Sequence, residues 1–515
     1  MGKRTFTAFA CLWPYLITLI DTTMTGSIHP SFASSWRALQ LIFLSALIPF
    51  SSSAQQIDLP EIGGSGAASV TPTEEYETGK AVMRNIRRAG GVLDDPLIHE
   101  YINNLGYSLI ANSDSSMKNF YFFMVNDSQI NAFALPGGFI GVNYGLLLAT
   151  ESESELASVL AHEIAHITQR HHARAYEQGK KSNIPAMAAL IAAIILGGNN
   201  YQVGEAALAT MAASSIQNKL DFTRANEKEA DYIGIALLSK SGYDPFSMAS
   251  FFEKLAKNSR LYGKSAPEFL RTHPVNKNRI ADARNRARTL PRHPQKSQKT
   301  YLLIRSRLRV LTSHDKRKTL MYFRKNLAAK DYLDPDAENY GYALSLIENK
   351  KFEQARKVLN KLLQIEPHRI AYLLAQANLE TRARNYKKAE ELFHASLALY
   401  PDNLPIIQSY VQMLLQSQHY KHARQILRDY LRTDRSEPIP YKLLAKAENK
   451  LGHTADANAA RGEYFYLNGQ PHKALSQLQD ALRTKGLSFY DSARIESRIQ
   501  QMHEELASLS KILKE

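Results

Sequence analysis

The sequence has one cysteine, no prominent stretch of lysine and arginine interleaved with aromatic residues, and no long apolar run, and each of these features argues against a class of protein. Its one cysteine, Cys11, lies in the N-terminal leader described below, so we expect neither disulfides nor thiolate metal ligands in the mature chain. The net charge is +15, but no stretch of clustered lysine and arginine with interleaved aromatic residues stands out, so we expect no nucleic-acid partner. The positive charge suits contact with anionic membrane surfaces. The apolar runs 38–50 and 185–196 are shorter than the roughly 20 residues of a membrane-spanning helix.

The N-terminus has the pattern of a secretory signal peptide. Arg37 precedes the apolar run Ala38–Phe50, and small residues allow cleavage after Ala54. Because this leader is long, Met24 is an alternative initiator to Met1. A membrane anchor formed by the leader also stays open as an interpretation.

Length and patterning predict a mainly α, α+β fold in two domains. After a leader (1–54) and a flexible segment (55–73), we expect a first domain at 74–285, a linker at 286–299 and a helical domain at 300–515. The first domain combines helical periodicity with the alternation of a small β-sheet. Its predicted helices cover 74–89, 96–111, 151–176, 185–196, 205–216 and 224–240, and its predicted strands cover 120–125, 130–135 and 139–142.

The second domain has an internal period of 34 residues. Alanines recur at this spacing, at Ala355, Ala389, Ala423 and Ala457. This period, with a small residue at each helix contact, resembles tetratricopeptide repeats, which stack pairs of helices into a superhelix. Two repeats are well formed, at 336–369 and 370–403, and a third at 404–437 lacks the terminal proline of the others. The pattern predicts overlapping or irregular repeats after them and a capping helix at 492–511.

The pattern His-Glu-x-x-His at residues 162–166 carries the chemistry of the first domain. On a helix, residues four apart share one face, so His162 and His166 can bind the same metal ion. Glu163 between them is placed to take a proton from a metal-bound water. The sequence therefore predicts the metal helix of a protease.

Such a site needs a third protein ligand, which a later predicted helix offers. Glu227 and Asp231 share one face, so Glu227 can complete the ligand set and Asp231 can orient a ligand histidine. Glu229 points elsewhere, and we expect it to be solvated. His171 and His172 lie off the ligand face of their own helix, and we expect them to be ordinary polar positions.

These residues resemble the M48 peptidases, a family of gluzincin-type zinc proteases with a zincin-like fold. The resemblance rests on the pattern at 162–166, on Glu227 and Asp231, on the segment 131–138 before the metal helix, and on Thr272-His273-Pro274 after it. It implies one Zn²⁺ per chain as the cofactor.

The resemblance also implies a role for each site residue. The implied metal ligands are His162, His166, Glu227 and, in a resting state that holds the enzyme off, His273. Glu163 is implied to be the general base and acid, and Asp231 a second catalytic group that donates a proton. Extended residues before the metal helix can pair with the backbone of a substrate: Asn131, Ala132, Phe133 and Ala134.

An export signal, a zinc protease and repeats together resemble periplasmic M48 peptidases of Gram-negative bacteria. The resemblance implies an endopeptidase and chaperone-like factor that assists the assembly of outer-membrane β-barrels or degrades misassembled ones. The implied partners are unfolded outer-membrane proteins, the β-barrel assembly machinery and the lipopolysaccharide-transport barrel. A repeat scaffold with latent proteolysis and an inner-membrane-anchored protease stay open. We interpret the apolar helices 185–196 and 205–216 as a hairpin that covers the active site.

Overall fold

The computed structural model describes residues 70–115, 117, 119–178, 213–262, 267–293 and 297–512. The predicted signal peptide, the helix 185–196, and most of the flexible segment and of the helix 205–216 lie outside these residues. The described part is mostly helical and contains one small sheet, which confirms the predicted fold class. None of its helices combines the length and the apolar character that a membrane span requires.

Two capped helices begin the described chain. Helix α1 (Pro72–Arg88) follows Thr71, whose side chain accepts a hydrogen bond from the backbone of Glu74 in a reciprocal capping box. Helix α2 (Pro96–Ile110) follows Asp95, whose carboxylate accepts the backbone N–H of Ile98. Both helices lie where the periodicity predicts them.

The sheet has three strands in the order β1–β3–β2, so β2 lies at one edge. Strands β1 (Tyr121–Val125) and β3 (Phe139–Asn143) are parallel, and β2 (Ala132–Leu135) runs antiparallel to β3. A short 3₁₀ turn joins β2 to β3. Gly137 and Gly138 in this turn have φ angles of 74° and 95°, which glycine adopts without strain. The three predicted strands are thereby confirmed.

The prediction of one long helix over residues 151–176 is wrong. The described helices that follow the sheet are α3 (Tyr144–Ala149), α4 (Glu153–Thr168), α5 (His171–Gln178), α6 (Ala213–Lys240), α7 (Ser247–Tyr262), α8 (Glu268–Thr272) and α9 (Lys277–Arg288). The break between α4 and α5 occurs at Arg170, whose φ is 50°. A residue in this left-handed conformation cannot continue a right-handed helix, so the chain changes direction there.

Six consecutive helix pairs follow the predicted linker in the described chain. They are α10 (Lys299–Leu311) and α11 (Lys316–Ala329), α12 (Pro335–Glu348) and α13 (Phe352–Ile365), α14 (Ile370–Arg382) and α15 (Tyr386–Leu399), α16 (Leu404–Gln416) and α17 (Tyr420–Thr433), α18 (Pro438–Lys450) and α19 (Thr454–Leu467), and α20 (Pro471–Leu482) and α21 (Phe489–Ile512). Successive pairs begin 33 to 36 residues apart, so the period extends beyond residues 336–437 in both directions.

The predicted irregularity of the last repeats is therefore wrong as regards spacing. The prediction followed small residues that fall out of phase there, and the structure gives them a packing role. A Cβ on Gly462 of α19 would lie 3.0 Å from Cγ of Leu478 on α20. Glycine thus allows α19 and α20 to pack closely while the 34-residue period continues.

The repeats pack against the region that precedes the linker, and residues 63–515 form one compact unit. At the first pair, the Tyr301 hydroxyl donates to the carbonyl of Thr150, at 2.7 Å. At the far end, the guanidinium of Arg84 on α1 lies 4.7 Å from the ring centroid of Tyr466 on α19. One hydrophobic cluster runs from α2 and α4 into α18, so both regions share a core.

A buried ion pair fixes the first repeat to α2, which gives a test of this packing. The Asp95 carboxylate accepts Nε and Nη2 of Arg307 on α10 at 2.9 and 2.6 Å, while it also caps α2. We expect Asp95→Ala to lower the free energy of unfolding by about 3–5 kcal/mol, because it leaves a buried guanidinium without its partner. Urea unfolding followed by circular dichroism measures the change.

The matched control for this variant is Asp315→Ala, which removes the exposed cap of α11. It should shift the unfolding midpoint far less. An equal shift for the two variants would contradict the role assigned to the buried pair.

Candidate metal centre

Three helices bring four metal-binding side chains together. His162 and His166 lie on α4, Glu227 lies on α6, and His273 follows the last residue of α8. All four are buried, and one possible ligand atom from each lies within 4.8 Å of the others. The structure thus gathers the four residues that the sequence proposes as ligands.

Close packing of α6 on α4 positions the acidic residues. A Cβ on Gly234 would lie 3.1 Å from the backbone nitrogen of His162 and 3.2 Å from the carbonyl of Ala161, so only glycine allows this approach without a shift. Glu227 and Asp231 precede Gly234 on α6 by two turns and by one turn, and they therefore lie against the histidines.

The ligand atoms converge from several directions. Nε2 of His166 lies 3.0 Å from Nε2 of His162, and the two nitrogens lie 3.4 Å from different oxygens of Glu227. Nδ1 of His273 lies 3.0 Å from Oε1 of Glu227 and 3.3 Å from Nε2 of His162. Three imidazoles and one carboxylate form a donor set that suits a divalent transition metal, so the residues present fit a metal ion.

Arg279 on α9 compensates the buried carboxylates. Its Nε and Nη2 donate to the two oxygens of Asp231 at 2.7 and 2.8 Å, and its Nη1 lies 2.9 Å from Oε2 of Glu227. Nη1 also donates to the carbonyl of Pro274, the residue after His273. One guanidinium therefore connects α6, α9 and the turn that holds His273.

The electrostatics of the cluster favour metal binding. Burial lowers the pKa of His162, but Asp231, whose Oδ1 lies 3.0 Å from its Nδ1, and Glu227 together raise it to about 10. Burial holds the pKa of His166 well below its usual value. Burial raises the pKa of Glu227, but the adjacent histidines bring it well below its usual range. At neutral pH Glu227 is thus a carboxylate and His166 is neutral, as ligands must be, while His162 holds a proton that a metal ion would displace.

Glu163 lies beside the cluster with its carboxylate unused. The residue is 1% exposed, and neither carboxylate oxygen has a hydrogen-bond partner among the described residues. Nε2 of His273 lies 3.4 Å from Oε1. Buried polar atoms without partners are rare and costly, so this carboxylate is available to a water or a substrate.

Reasoning from the sequence missed a chain of three residues behind the cluster. Nδ1 of His171 lies 2.7 Å from Nδ1 of His166, and Nε2 of His171 lies 3.1 Å from Oε2 of Glu229. Arg174 donates to the same Oε2 at 2.7 Å. The predictions that His171 is an ordinary polar position and that Glu229 is solvated are wrong, because the break at Arg170 turns α5 back toward α4 and α6.

His172 is also better defined than the sequence suggests. Burial lowers its pKa to about 4, and a hydrogen bond joins it to the backbone of Ala134. Its Nε2 is buried without a partner among the described residues. The prediction of an ordinary polar position is therefore wrong for His172 too, since it contacts the edge strand.

The proposed substrate segment lies at the edge of the sheet, against α4. Asn131 is buried just before β2, and its carbonyl accepts the backbone N–H of Asn143 on β3. Hydrogen bonding alternates along an antiparallel pair, so Phe133 pairs with β3 while the polar backbone groups of Ala132 and Ala134 point away from β3. This outer edge of β2 is buried, and His172 contacts it at Ala134.

Comparison with known proteins gives the same two-part composition. The profile of peptidase family M48 matches residues 96–287, and a tetratricopeptide repeat profile matches residues 381–447. The chain is 35% identical over 446 residues to the beta-barrel assembly-enhancing protease of Yersinia pestis, covering 86% of this chain and 91% of the relative. It is 32% identical over 488 residues to the protein of the same name from Escherichia coli (strain K12), covering 95% and 96%. A mitochondrial metalloendopeptidase of Arabidopsis thaliana is 33% identical over 221 residues, 42% of each chain.

The role of Arg279 can be tested without any metal. Arg279→Leu leaves Glu227 and Asp231 buried without their cation, so we expect the metal-free chain to lose about 3–5 kcal/mol of unfolding free energy. Arg284→Leu on the same helix is the control, because its side chain is half exposed and its partner among the described residues is Glu253. Chemical unfolding in the presence of a chelator measures both, and equal losses would refute the assignment.

Proposed function

The chain belongs to the β-barrel assembly-enhancing proteases of peptidase family M48 and is therefore a metallopeptidase, and we propose that it is a periplasmic zinc endopeptidase acting on outer-membrane β-barrel proteins. The observation that carries this proposal is the convergence of His162, His166 and Glu227 beside the unpartnered carboxylate of Glu163. The predicted signal peptide supports export, and the name of the relatives supports the class of substrate.

Zinc is the metal that the donor set fits best. Imidazole nitrogens with a carboxylate are the usual ligands of catalytic zinc in hydrolases. When bound, zinc lowers the pKa of a coordinated water and polarises the scissile carbonyl. Glu163 then takes a proton from the attacking water and returns it to the leaving amine, a role for which its free oxygens suit it.

Asp231 acts in this proposal by positioning. Its two oxygens accept Arg279, and Oδ1 also faces Nδ1 of His162 at 3.0 Å. A carboxylate so placed holds the imidazole with Nε2 toward the metal. We therefore propose Asp231 as a positioning residue, and its role as a proton donor stays a prediction of the family resemblance.

His273 is a fourth possible ligand in the cluster. A catalytic zinc keeps one coordination position open, whereas a fourth protein ligand is the mark of a closed site. We propose that His273 binds zinc as the fourth ligand at rest and must move before a peptide is cut. A closed site specifically favours a second candidate function, in which the repeats act mainly as a scaffold or chaperone and proteolysis is latent.

The repeats are proposed to select the substrates. Stacked helix pairs present extended surfaces to other proteins. Unfolded or misassembled outer-membrane proteins are the proposed clients, and the β-barrel assembly machinery and the lipopolysaccharide-transport barrel are the proposed sites of action. An extended client would add its backbone to the outer edge of β2.

Glu163→Gln tests the catalytic proposal. The variant keeps the size of the side chain but cannot accept a proton, so we expect casein cleavage by the full chain to fall by about 10²–10⁴-fold. Zinc content should stay at one ion per chain, measured by atomic absorption. Glu151→Gln, an exposed carboxylate just before α4, is the control and should leave both values unchanged.

Two results would overturn the zinc mechanism: full activity in Glu163→Gln, or wild-type activity that survives removal of the metal by a chelator. Loss of barrel assembly in cells only when the repeats are removed, and not in Glu163→Gln, would favour the scaffold instead.

Ala132→Pro tests the edge strand. Proline removes a backbone N–H that faces the outer edge, which the sheet tolerates but an added substrate strand does not. We expect KM for an unfolded substrate to rise several-fold, with the zinc content unchanged. Ala132→Ser keeps the N–H and serves as the control; unchanged KM in Ala132→Pro would exclude pairing at this position.

A further inference from the structure

We propose that His171 is a positioning residue of the metal centre, held by Glu229 and Arg174 so that it accepts a hydrogen bond from the ligand His166. The inference rests on the proposed function, because it treats His166 as a zinc ligand. It adds a hydrogen-bond acceptor for His166 that is part of neither the His-Glu-x-x-His pattern nor the set of metal ligands.

The donors and acceptors available fix the direction of each hydrogen bond from His166 through His171 to Glu229. A carboxylate only accepts, so Nε2 of His171 donates to Oε2 of Glu229 at 3.1 Å. The neutral ring of His171 then carries its lone pair on Nδ1, which lies 2.7 Å from Nδ1 of His166. His166 must therefore donate from Nδ1, and this leaves the lone pair of its Nε2 for the metal.

Arg174 holds Glu229, the last residue of this series of hydrogen bonds. Arg174 lies one turn after His171 on α5 and donates to the same oxygen of Glu229, at 2.7 Å. His171 and Arg174 are 4% and 5% exposed, so solvent hardly competes for these bonds. Two helices, α5 and α6, thereby hold one imidazole in a single orientation.

Each of the two histidines of α4 is then supported by a carboxylate that is paired with an arginine. His162 faces a carboxylate, Asp231, that is paired with an arginine, Arg279. His166 reaches its arginine-paired carboxylate through one intervening imidazole, that of His171. In both cases Nδ1 of the histidine faces another group, Asp231 at 3.0 Å or His171 at 2.7 Å, and in both cases an arginine offsets the charge of the carboxylate.

His171 is excluded as a ligand by the same geometry. Its Nδ1 faces His166 and its Nε2 faces Glu229, so both ring nitrogens are already engaged. The side chains around His162 that could hold a metal ion are accordingly His166, Glu227 and His273, and not His171.

The test measures the zinc affinity of the full chain by competition with a chromophoric chelator. His171→Leu removes the acceptor, and we expect zinc to bind 10- to 100-fold more weakly, as is typical when a partner of a metal ligand is lost. His171→Asn offers an amide oxygen near the position of Nδ1 and should restore affinity to within about threefold, on the same reasoning about acceptor geometry. His172→Leu, next to it but facing β2, is the matched control and should bind zinc as the wild type does.

A second measurement is independent of the metal. Nitrogen NMR of ¹⁵N-histidine in the metal-free chain should find His166 protonated at Nδ1 in the wild type and in His171→Asn, and as a mixture of tautomers in His171→Leu. Should His171→Leu fail to fold, the double variant Glu229→Leu/Arg174→Leu removes the anchor without leaving an unpaired charge, and it should weaken zinc binding in the same range.

The outcomes separate this inference from the proposed function. If the wild type does not bind zinc, or binds it equally well after His162→Ala, the proposed metal site itself is wrong. If the wild type binds zinc and His171→Leu binds it as tightly, with the same His166 tautomer, the site stands and the role of His171 is refuted. Equal weakening in His171→Leu and His172→Leu would also refute it, since it would indicate a general disturbance of α5.

Discussion

The structure depends on the compensation of buried charge by Arg279. Two carboxylates and three histidines occupy a site with almost no exposure, and an unpaired carboxylate in such a place costs several kcal/mol. Arg279 donates to Asp231 through two nitrogens and contacts Glu227 with a third. The ligand carboxylate can therefore stay charged inside the protein, and α6 and α9 are held together by the same group that supports the chemistry.

Hydrogen bonds from the first repeat hold the chain just before α4. The hydroxyl of Tyr301 on α10 donates to the carbonyl of Thr150, which stands three residues before α4, and Arg305 donates to the carbonyl of Leu148. These bonds attach the first repeat to the loop that positions α4. A partner that moves the first repeat would therefore act directly on the helix that carries His162 and His166.

Sequence patterns predicted the grouping of His162, His166, Glu227 and His273, and for the first three the information is local. A spacing of four on a helix fixes which side chains share a face, so His162 with His166, and Glu227 with Asp231, follow from helical geometry. The 34-residue period predicted the helix pairs for the same reason. The break at Arg170 could not be predicted in this way, since arginine has no preference for φ near 50° and only the tertiary contacts hold it there. Everything that depends on that break, including the contacts of His171 and His172, was missed with it.

The contacts of His273 are largely separate from those that support His162. Its ring packs on Phe269, with centroids 4.8 Å apart, and the next carbonyl, that of Pro274, accepts one bond from Arg279. Movement of this turn would break these contacts and the 3.0 Å contact of Nδ1 of His273 with Oε1 of Glu227, but it would not require Arg279 to leave Asp231. His273 can therefore leave the cluster while the support of His162 stays intact. Under the proposed mechanism, the pair of Arg279 with Asp231 would keep His162 oriented when His273 moves away.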